Sequence, residues 1–203
     1  MSSDDNMVYD RLTEADLDES LQMLKTRAGQ VNAVFACFGS AAQHAQHFEA
    51  ALAEFLLDYN KISKRVVTLQ DFEVLDQRLQ KKTLGTLLRE FSKYVTIEDP
   101  KVVGFLEMAL EKRNFLMHHF FRAREERLRL KKDRMDLLSE LTGIDRILEE
   151  AATIIRGMRI AVSRAISKHG KSGEGSENDD SESSKVLFTA KLQMPNDLRG
   201  DNA

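Results

Sequence analysis

The fold is decided by the stretch Leu110-Glu111-Lys112-Arg113-Asn114-Phe115-Leu116-Met117-His118-His119-Phe120-Phe121, which contains neither glycine nor proline and predicts an α-helix. With about 100° between successive residues, its apolar side chains fall on one side, which we expect to face a core. Arg113 falls in the middle of that side, and Asn114 and His118 lie together on its edge. An unpaired buried charge is costly, so a cation here indicates a partner or a functional site.

A second predicted helix, from Val31 to Tyr59, also carries one charge within its apolar side. Glu49 lies at the centre of a face that contains Val31, Val34, Phe35, Phe38, Ala42, Ala45, Leu52 and Leu56. Because the two charges are opposite, we expect Glu49 and Arg113 to pair inside the bundle. His44 and His47 fall on the other side of this helix. A solvated face is predicted there, since two histidines alone give weak support for a metal site.

The pattern along the rest of the chain predicts an all-α protein, an up-and-down bundle of about five helices. Short helices are predicted over residues 71–82 and 87–95, separated by a turn at Leu84-Gly85. Asp99-Pro100 predicts the start of the helix that contains Arg113, because aspartate caps a helix and proline suits its first position.

The end of that helix is predicted from the phase of its apolar stripe. A second stripe is rotated by roughly 150° from the first. It consists of Leu130, Leu137, Leu141, Ile144, Leu148, Ala151, Ile155, Met158, Val162 and Ile166. One straight helix cannot bury both stripes against one core. We therefore expect a break between residues 126 and 132, followed by a last helix that continues to about Lys168.

Composition divides the chain into a helical domain and two polar ends. Residues 1–12 are acidic and polar and are predicted to be disordered, and the helical domain spans residues 13–168. Residues 169–203 form a linker and tail rich in serine, glycine and acidic residues, which are also predicted to be disordered. Within this tail, residues 185–192 are an apolar island. It is either a docking segment or only a sticky end.

Charge and cysteine content limit the expected partners and compartment. A net charge of −3 gives no global attraction to nucleic acid, so an RNA contact needs a local basic patch. The single cysteine, Cys37, forms no intrachain disulfide, and the polar N-terminus is unlike a signal peptide, so a cytoplasmic location is expected. No apolar run approaches the roughly 18 residues that span a bilayer. No metal, cofactor, membrane or DNA partner is predicted.

Arg113, Asn114 and His118 resemble the motif of the HEPN family, in which arginine and a polar residue are followed by a histidine four to six positions after the arginine. His119 is a second candidate for the histidine, although it projects to the other side of a continuous helix. The resemblance covers roughly residues 30–165. It implies a helical bundle, often a dimer, and in many members a metal-independent ribonuclease of toxin or phage-defence type. Some members have lost activity and only bind or scaffold.

Metal-independent RNA cleavage needs proton transfer and a cation, and this motif contains residues suited to both. Histidine exchanges protons near neutral pH, whereas arginine holds a phosphate with two donors and keeps its charge. The predicted catalytic residues are Arg113, Asn114 and His118, with His119 and Glu49 as candidates for a catalytic or supporting role. The resemblance implies a two-fold dimer in which the two copies of the motif face each other across one cleft.

A basic segment follows the motif directly and is the candidate path for an RNA backbone. Residues 122–134 contain seven basic and three acidic residues. The candidate RNA contacts are Arg122, Arg124, Arg127, Arg129, Lys131 and Lys132. The alternative is a solvated face in which glutamates and arginines of the same segment pair with one another.

Two classes of function follow from these features. The first is an endoribonuclease that leaves 2′,3′-cyclic phosphate ends, acts on RNA as a homodimer and has an antitoxin protein as a candidate partner. The second is a non-catalytic helical interaction module that keeps the motif for structure or for partner binding.

Overall fold

The computed structural model describes Gln22 and residues 24–63, 68–170 and 190–192. Within these ranges the chain forms six α-helices, one 3-10 turn and one two-stranded sheet. The elements are α1 (Arg27–Ile62), α2 (Leu69–Gln80), α3 (Leu84–Phe91), β1 (Val95–Ile97), α4 (Pro100–His118), α5 (Phe120–Arg124), the 3-10 turn Glu126–Leu128, α6 (Lys131–Gly170) and β2 (Ala190–Leu192). The predicted all-α bundle is confirmed. The predictions for residues 1–12 and for most of the tail lie outside the described residues.

The two long helices, α1 and α6, pack along each other, and α4 packs against both. Their buried side chains form one apolar core to which α2 and α3 also contribute. Its largest fully buried members are Phe48, Phe55, Phe91, Phe120, Leu52, Leu56, Leu79, Leu84, Leu116, Leu137, Leu141 and Leu148. The second predicted stripe is thus buried from Leu137 to Met158 and partly buried at Val162, whereas Leu130 is exposed and precedes α6. Phe35, assigned to the apolar face of α1, is also exposed. None of the described helices combines the length and hydropathy needed to cross a bilayer.

Threonine caps set the starts of three helices, all of which begin earlier than predicted. The Thr26 hydroxyl accepts a hydrogen bond from the Gly29 amide at 3.0 Å, so α1 begins at Arg27 rather than Val31. Thr68 caps α2 in the same way. The Thr83 hydroxyl accepts from the Thr86 amide at 3.4 Å. The predicted turn at Leu84-Gly85 is therefore wrong, because both residues lie in the first turn of α3.

A short sheet replaces the end of the helix predicted over residues 87–95. The helix α3 ends at Phe91, and β1 pairs with β2 in antiparallel register, with Thr96 opposite Lys191 and Ile97 opposite Ala190. The exposed Lys191 side chain forms an ion pair with Glu98. The last residues of the apolar island are thus a strand, while residues 185–189 lie outside the described residues.

The helix that carries the motif ends earlier than predicted. His119, with φ −130° and ψ −18°, leaves the helical conformation, so α4 ends at His118 and α5 begins at Phe120. A 3-10 turn then leads to α6 at Lys131. A break is present within the predicted range 126–132, just before α6. The helix is first interrupted at His119, however, seven residues before that range.

A buried arginine holds this connection in place. The Arg134 side chain is only 4% exposed and donates to the carbonyl oxygens of Leu128 and Arg129 at 2.9 Å each. Its Nε donates to the side-chain oxygen of Gln30 on α1, also at 2.9 Å. Arg134 therefore satisfies carbonyl groups that the interrupted helix leaves without intrahelical donors.

Candidate functional site

Arg113 lies on the core side of α4, where the buried Ala109 and Leu116 flank it along the helix. Its Nη2 donates to Oε1 of Glu49 on α1, so the predicted pair is present. The Arg113 and Glu49 side chains are 18% and 28% exposed, which places the pair at the edge of the α1–α4 interface and not inside the core as predicted. One edge of the site is consequently open to solvent.

Asn114 is held by the same guanidinium. The Nη1 atom of Arg113 donates to the Asn114 side-chain oxygen at 3.3 Å, and Asn114 itself is exposed. Among the described residues, Arg113 Nε is the buried side-chain atom that lacks a hydrogen-bond partner. The arginine thus connects a carboxylate on one helix to an exposed amide on the next. We regard it as the centre of the site.

Both candidate histidines are exposed, and they lie side by side. His118 is the last residue of α4, one turn after Asn114 on the same edge. The helix breaks at His119, and the two imidazole rings are 6.2 Å apart between centroids, at 66° to each other. The projection of His119 to the far side assumed a continuous helix and is wrong. Two imidazoles therefore stand at the end of the motif.

The basic segment after the motif divides into paired and unpaired cations. Arg124 donates to the two carboxylate oxygens of Glu140 on α6 at 2.8 and 3.2 Å, and Arg127 donates to the same carboxylate at 3.1 Å. The hydrogen bond from Arg124 is the main reason that the pKa of Glu140 lies below its ordinary value. The four remaining basic residues of the candidate set are exposed: Arg122, Arg129, Lys131 and Lys132.

Arg124 and Arg127 therefore pair with a carboxylate of another helix, Glu140 on α6. The predicted alternative was pairing within the segment, but the described ion pairs of Arg124 and Arg127 are with Glu140, which lies outside it. The guanidinium of Arg124 also lies 5.2 Å from the centre of the Phe115 ring. These contacts attach the connection after the motif to both α4 and α6.

A partly exposed apolar face adjoins the motif on α4. Val103, Leu110 and Met117 are spaced seven residues apart, which places them along one side of the helix. Val103 and Met117 are 38% and 41% exposed. Asn114 lies on the same side, between Leu110 and Met117. This face is suited to contact with another protein surface.

One of the two histidines on α1, His44, departs from its prediction. His44 Nδ1 lies 2.8 Å from Oδ1 of Asp145 on α6, and Ser40 donates to the same oxygen at 3.0 Å. His44 thus contributes to the α1–α6 interface and does not lie on a solvated face, whereas His47 is exposed. In the part of the chain that the structure describes, no group of three or more histidine, cysteine or acidic side chains is arranged to bind a metal ion.

Comparison with protein-family models, curated proteins and solved structures found no match. A function is therefore inferred from the geometry of Arg113, Asn114 and His118 and from the motif they form. Glu140, Arg134 and Asp145 were not predicted to take part in any site. All three belong to α6, and nothing in its apolar periodicity indicates which polar residues contact another helix.

Proposed function

We propose that this protein is a metal-independent endoribonuclease whose active site contains Arg113, Asn114 and His118. The observation that carries the proposal is the fixed position of Arg113, whose guanidinium binds Glu49 on another helix and Asn114 beside it. An exposed amide and an exposed imidazole follow on the same helix edge. This arrangement suits a polyanionic substrate, because a permanent cation lies at an open edge next to a proton carrier.

Each residue has a distinct role in the proposed reaction. His118 exchanges the proton of the attacking 2′-hydroxyl or of the leaving 5′-oxygen. Arg113 has five N–H donors, and the bonds to Glu49 and Asn114 use only two, so further donors remain for a phosphate oxygen. Asn114 donates to the phosphate or orients the arginine. The products are a 2′,3′-cyclic phosphate and a 5′-hydroxyl.

His119 is a candidate for the second proton transfer. Cleavage needs both a base and an acid, and the ring of His119 lies 6.2 Å from that of His118. A homodimer is the other source of a second histidine. We propose that two copies meet through the α4 face of Val103, Leu110 and Met117, which adjoins Asn114.

The dimer can be tested with matched surface variants. Met117→Glu places a charge in the proposed interface, whereas Met135→Glu changes a methionine of similar exposure (45%) on α6. Light scattering at tens of micromolar should give a dimer for the wild type and Met135→Glu, and a monomer for Met117→Glu. A monomeric wild-type protein would remove the dimer from the proposal.

Four exposed cations after the motif are proposed to guide the RNA backbone. Arg122, Arg129, Lys131 and Lys132 have no acidic partner among the described ion pairs, whereas Glu140 engages Arg124 and Arg127. Each phosphate contact that is removed should flatten the salt dependence of RNA affinity. Lys131→Gln should therefore weaken RNA binding, and the loss should be similar for RNAs of different sequence.

Incubation of the purified protein with total RNA in EDTA tests the proposed activity. The expected products end in a 2′,3′-cyclic phosphate, which a terminal-phosphate assay identifies. The proposed setting is a cytoplasmic toxin or defence protein, and an antitoxin protein is its proposed inhibitor.

The second candidate function is a non-catalytic interaction module. The hydrogen bonds of Arg113 to Glu49 and Asn114 favour the interaction module, because they give the arginine a structural role that needs no catalysis. Intact RNA after incubation would support this second candidate.

A further inference from the structure

An aromatic cluster lies where α1 meets α5, directly after the two candidate histidines. The ring of Phe121 packs against two rings of α1, with centroid distances of 5.1 Å to Phe35 and 4.6 Å to Phe38. Phe38 also packs against Phe120, which is 1% exposed and belongs to the core. The core therefore holds the cluster in place, and none of its rings belongs to the proposed dimer face.

Phe35 is the most exposed ring of the cluster. It is 51% exposed, whereas Phe38 and Phe121 are partly buried. In a helix, a side chain covers the turn that precedes its own Cα, so the residue placed to cover Phe35 is the one at position 39. That residue is a glycine, and the space that a Cβ would take there has no other atom within 4 Å. The Phe35 ring is therefore left uncovered on this side.

The cluster borders the proposed active site. His119 lies two residues before Phe121 in the chain. On α1, Phe38 and Glu49 fall on the same edge, three turns or about 16 Å apart. Glu49 is the residue that binds Arg113. The aromatic cluster and Arg113 therefore lie at opposite ends of the proposed active site.

The charges near the cluster suit a polyanion. Residues 28–48 contain no lysine, arginine, aspartate or glutamate, so this part of α1 brings no carboxylate to the rings. On α5, the exposed Arg122 directly follows Phe121 and has no acidic partner among the described ion pairs. An uncovered ring beside such a cation suits a nucleotide, because a nucleotide has a base to stack and a phosphate to bind.

The size of the exposed patch favours a base over a protein partner. The exposed part of Phe35 amounts to on the order of 100 Å². Its exposed neighbours on α1, Asn32 and Gly39, add no large apolar side chain. A stable protein interface buries about 800 Å² on each partner, whereas a base needs only one ring face to stack. The patch therefore matches the area of a base.

We propose that Phe35, supported by Phe38 and Phe121, is the stacking platform for a base of the RNA substrate, next to the phosphate that the motif cleaves. This inference rests on the proposed function and adds a binding site to it. Arg122 is placed to bind a phosphate beside the stacked base. Because stacking uses the face of the base and no hydrogen bond to its edge, the platform accepts any of the four bases.

Binding of an uncleavable RNA tests the platform without relying on catalysis. The probe is a short, fluorescein-labelled 2′-O-methyl oligoadenylate, which lacks the attacking 2′-hydroxyl, and fluorescence anisotropy gives its Kd for the full-length protein. Phe35→Ala should raise the Kd about tenfold, and Phe35→Leu should do the same because leucine is apolar but has no ring. Phe35→Tyr should keep the wild-type Kd. Ile160→Ala, which removes an apolar side chain of similar exposure (52%) on α6, is the matched control and should leave the Kd unchanged.

The salt dependence of the Kd separates stacking from charge. Phe35→Ala removes no phosphate contact, so its plot of log Kd against log salt concentration should keep the wild-type slope. Arg122→Gln removes a cation from the same site and should flatten that slope. A flattened slope in Phe35→Ala would contradict a stacking role.

Three further results would decide the proposal. Wild-type affinity in Phe35→Ala would overturn the platform, even if the wild-type protein cleaves total RNA. Loss of affinity in Phe35→Ala but not in Phe35→Tyr, with total RNA left intact by the wild type, would support the platform and refute the proposed cleavage. A change of oligomeric state in Phe35→Ala, measured by light scattering, would overturn the platform by showing that the patch is a contact between two copies of the chain.

Discussion

Arg113 on α4 binds Glu49 on α1, a residue 64 positions earlier in the chain, and donates to the neighbouring Asn114 at 3.3 Å. The position of the motif arginine is therefore set by a different helix. The pair is neither fully buried nor freely exposed. Removal of one partner should accordingly cost more stability than it does in a surface ion pair, because the other charge is left half-buried without its partner.

Glu49→Gln should lower the free energy of unfolding by about 1–2 kcal/mol, because it leaves the half-buried Arg113 without its charged acceptor. Urea unfolding measures the change. The control is Glu150→Gln on the exposed side of α6. Glu54 is unsuitable as a control, although it is exposed, because it pairs with Arg159. Equal effects of Glu49→Gln and Glu150→Gln would show that the Glu49 pair does not stabilise the fold.

Arg113→Lys should separate structural support from the proposed chemistry. Lysine keeps the charge for Glu49 but lacks the planar donor fork needed to hold Asn114 and a phosphate as well. The melting temperature should fall only slightly, while RNA cleavage should fall about a hundredfold or more. Parallel melting curves and initial cleavage rates check this. Cleavage at the wild-type rate in Arg113→Lys would remove the arginine from the proposed active site.

Glu140 should make part of the stability pH-dependent. The hydrogen bond from Arg124 holds the pKa of Glu140 below its ordinary value of 4.5, so the ionised carboxylate stabilises the folded state above that pH. This stabilisation is lost as the pH falls through the lowered pKa. Glu140→Gln should be less stable than the wild type at pH 7, and the difference should shrink in acid. Urea unfolding from pH 7 to pH 3 measures it, with Glu149→Gln as control, and a constant difference would contradict the assignment.

Cys37 should react slowly with thiol reagents. Burial, assisted by the negative charge of Asp145, raises the pKa of the Cys37 thiol, so less of the reactive thiolate is present at pH 8. The rate of reaction with a disulfide reagent should lie below that of free cysteine and should rise when the protein unfolds in urea. A folded protein that reacts as fast as free cysteine would contradict this.

Helical phase predicted the Glu49–Arg113 contact because both residues lie within uninterrupted helices, where a 100° rotation per residue holds. The same count failed for His119, since the helix breaks there. The connection after that break is held by Arg134, which binds carbonyl groups and a distant glutamine. Apolar periodicity carries no signal for such contacts. Nor does it indicate β1, whose three residues are too short to establish an alternating pattern.

The pairing of Arg124 and Arg127 with Glu140 was missed for a related reason. A basic run in a sequence indicates positive charge but not which members have a partner on another helix. Of the six candidate RNA contacts, Arg124 and Arg127 pair with Glu140, and the other four are exposed. The choice among the proposed catalytic residues did not depend on such distant contacts, because the motif occupies about two turns of one helix.

RNA cleavage by His118→Ala in EDTA tests the central claim most directly. His118 is exposed, so its truncation opens no cavity, and the melting temperature should not change. His47→Ala, which removes an exposed histidine of α1, is the control and should cleave RNA at the wild-type rate. His118→Ala should lose cleavage by a factor of about 10² to 10⁴, and His119→Ala should lose less. A His118→Ala protein that cleaves RNA as fast as the wild type would contradict the account.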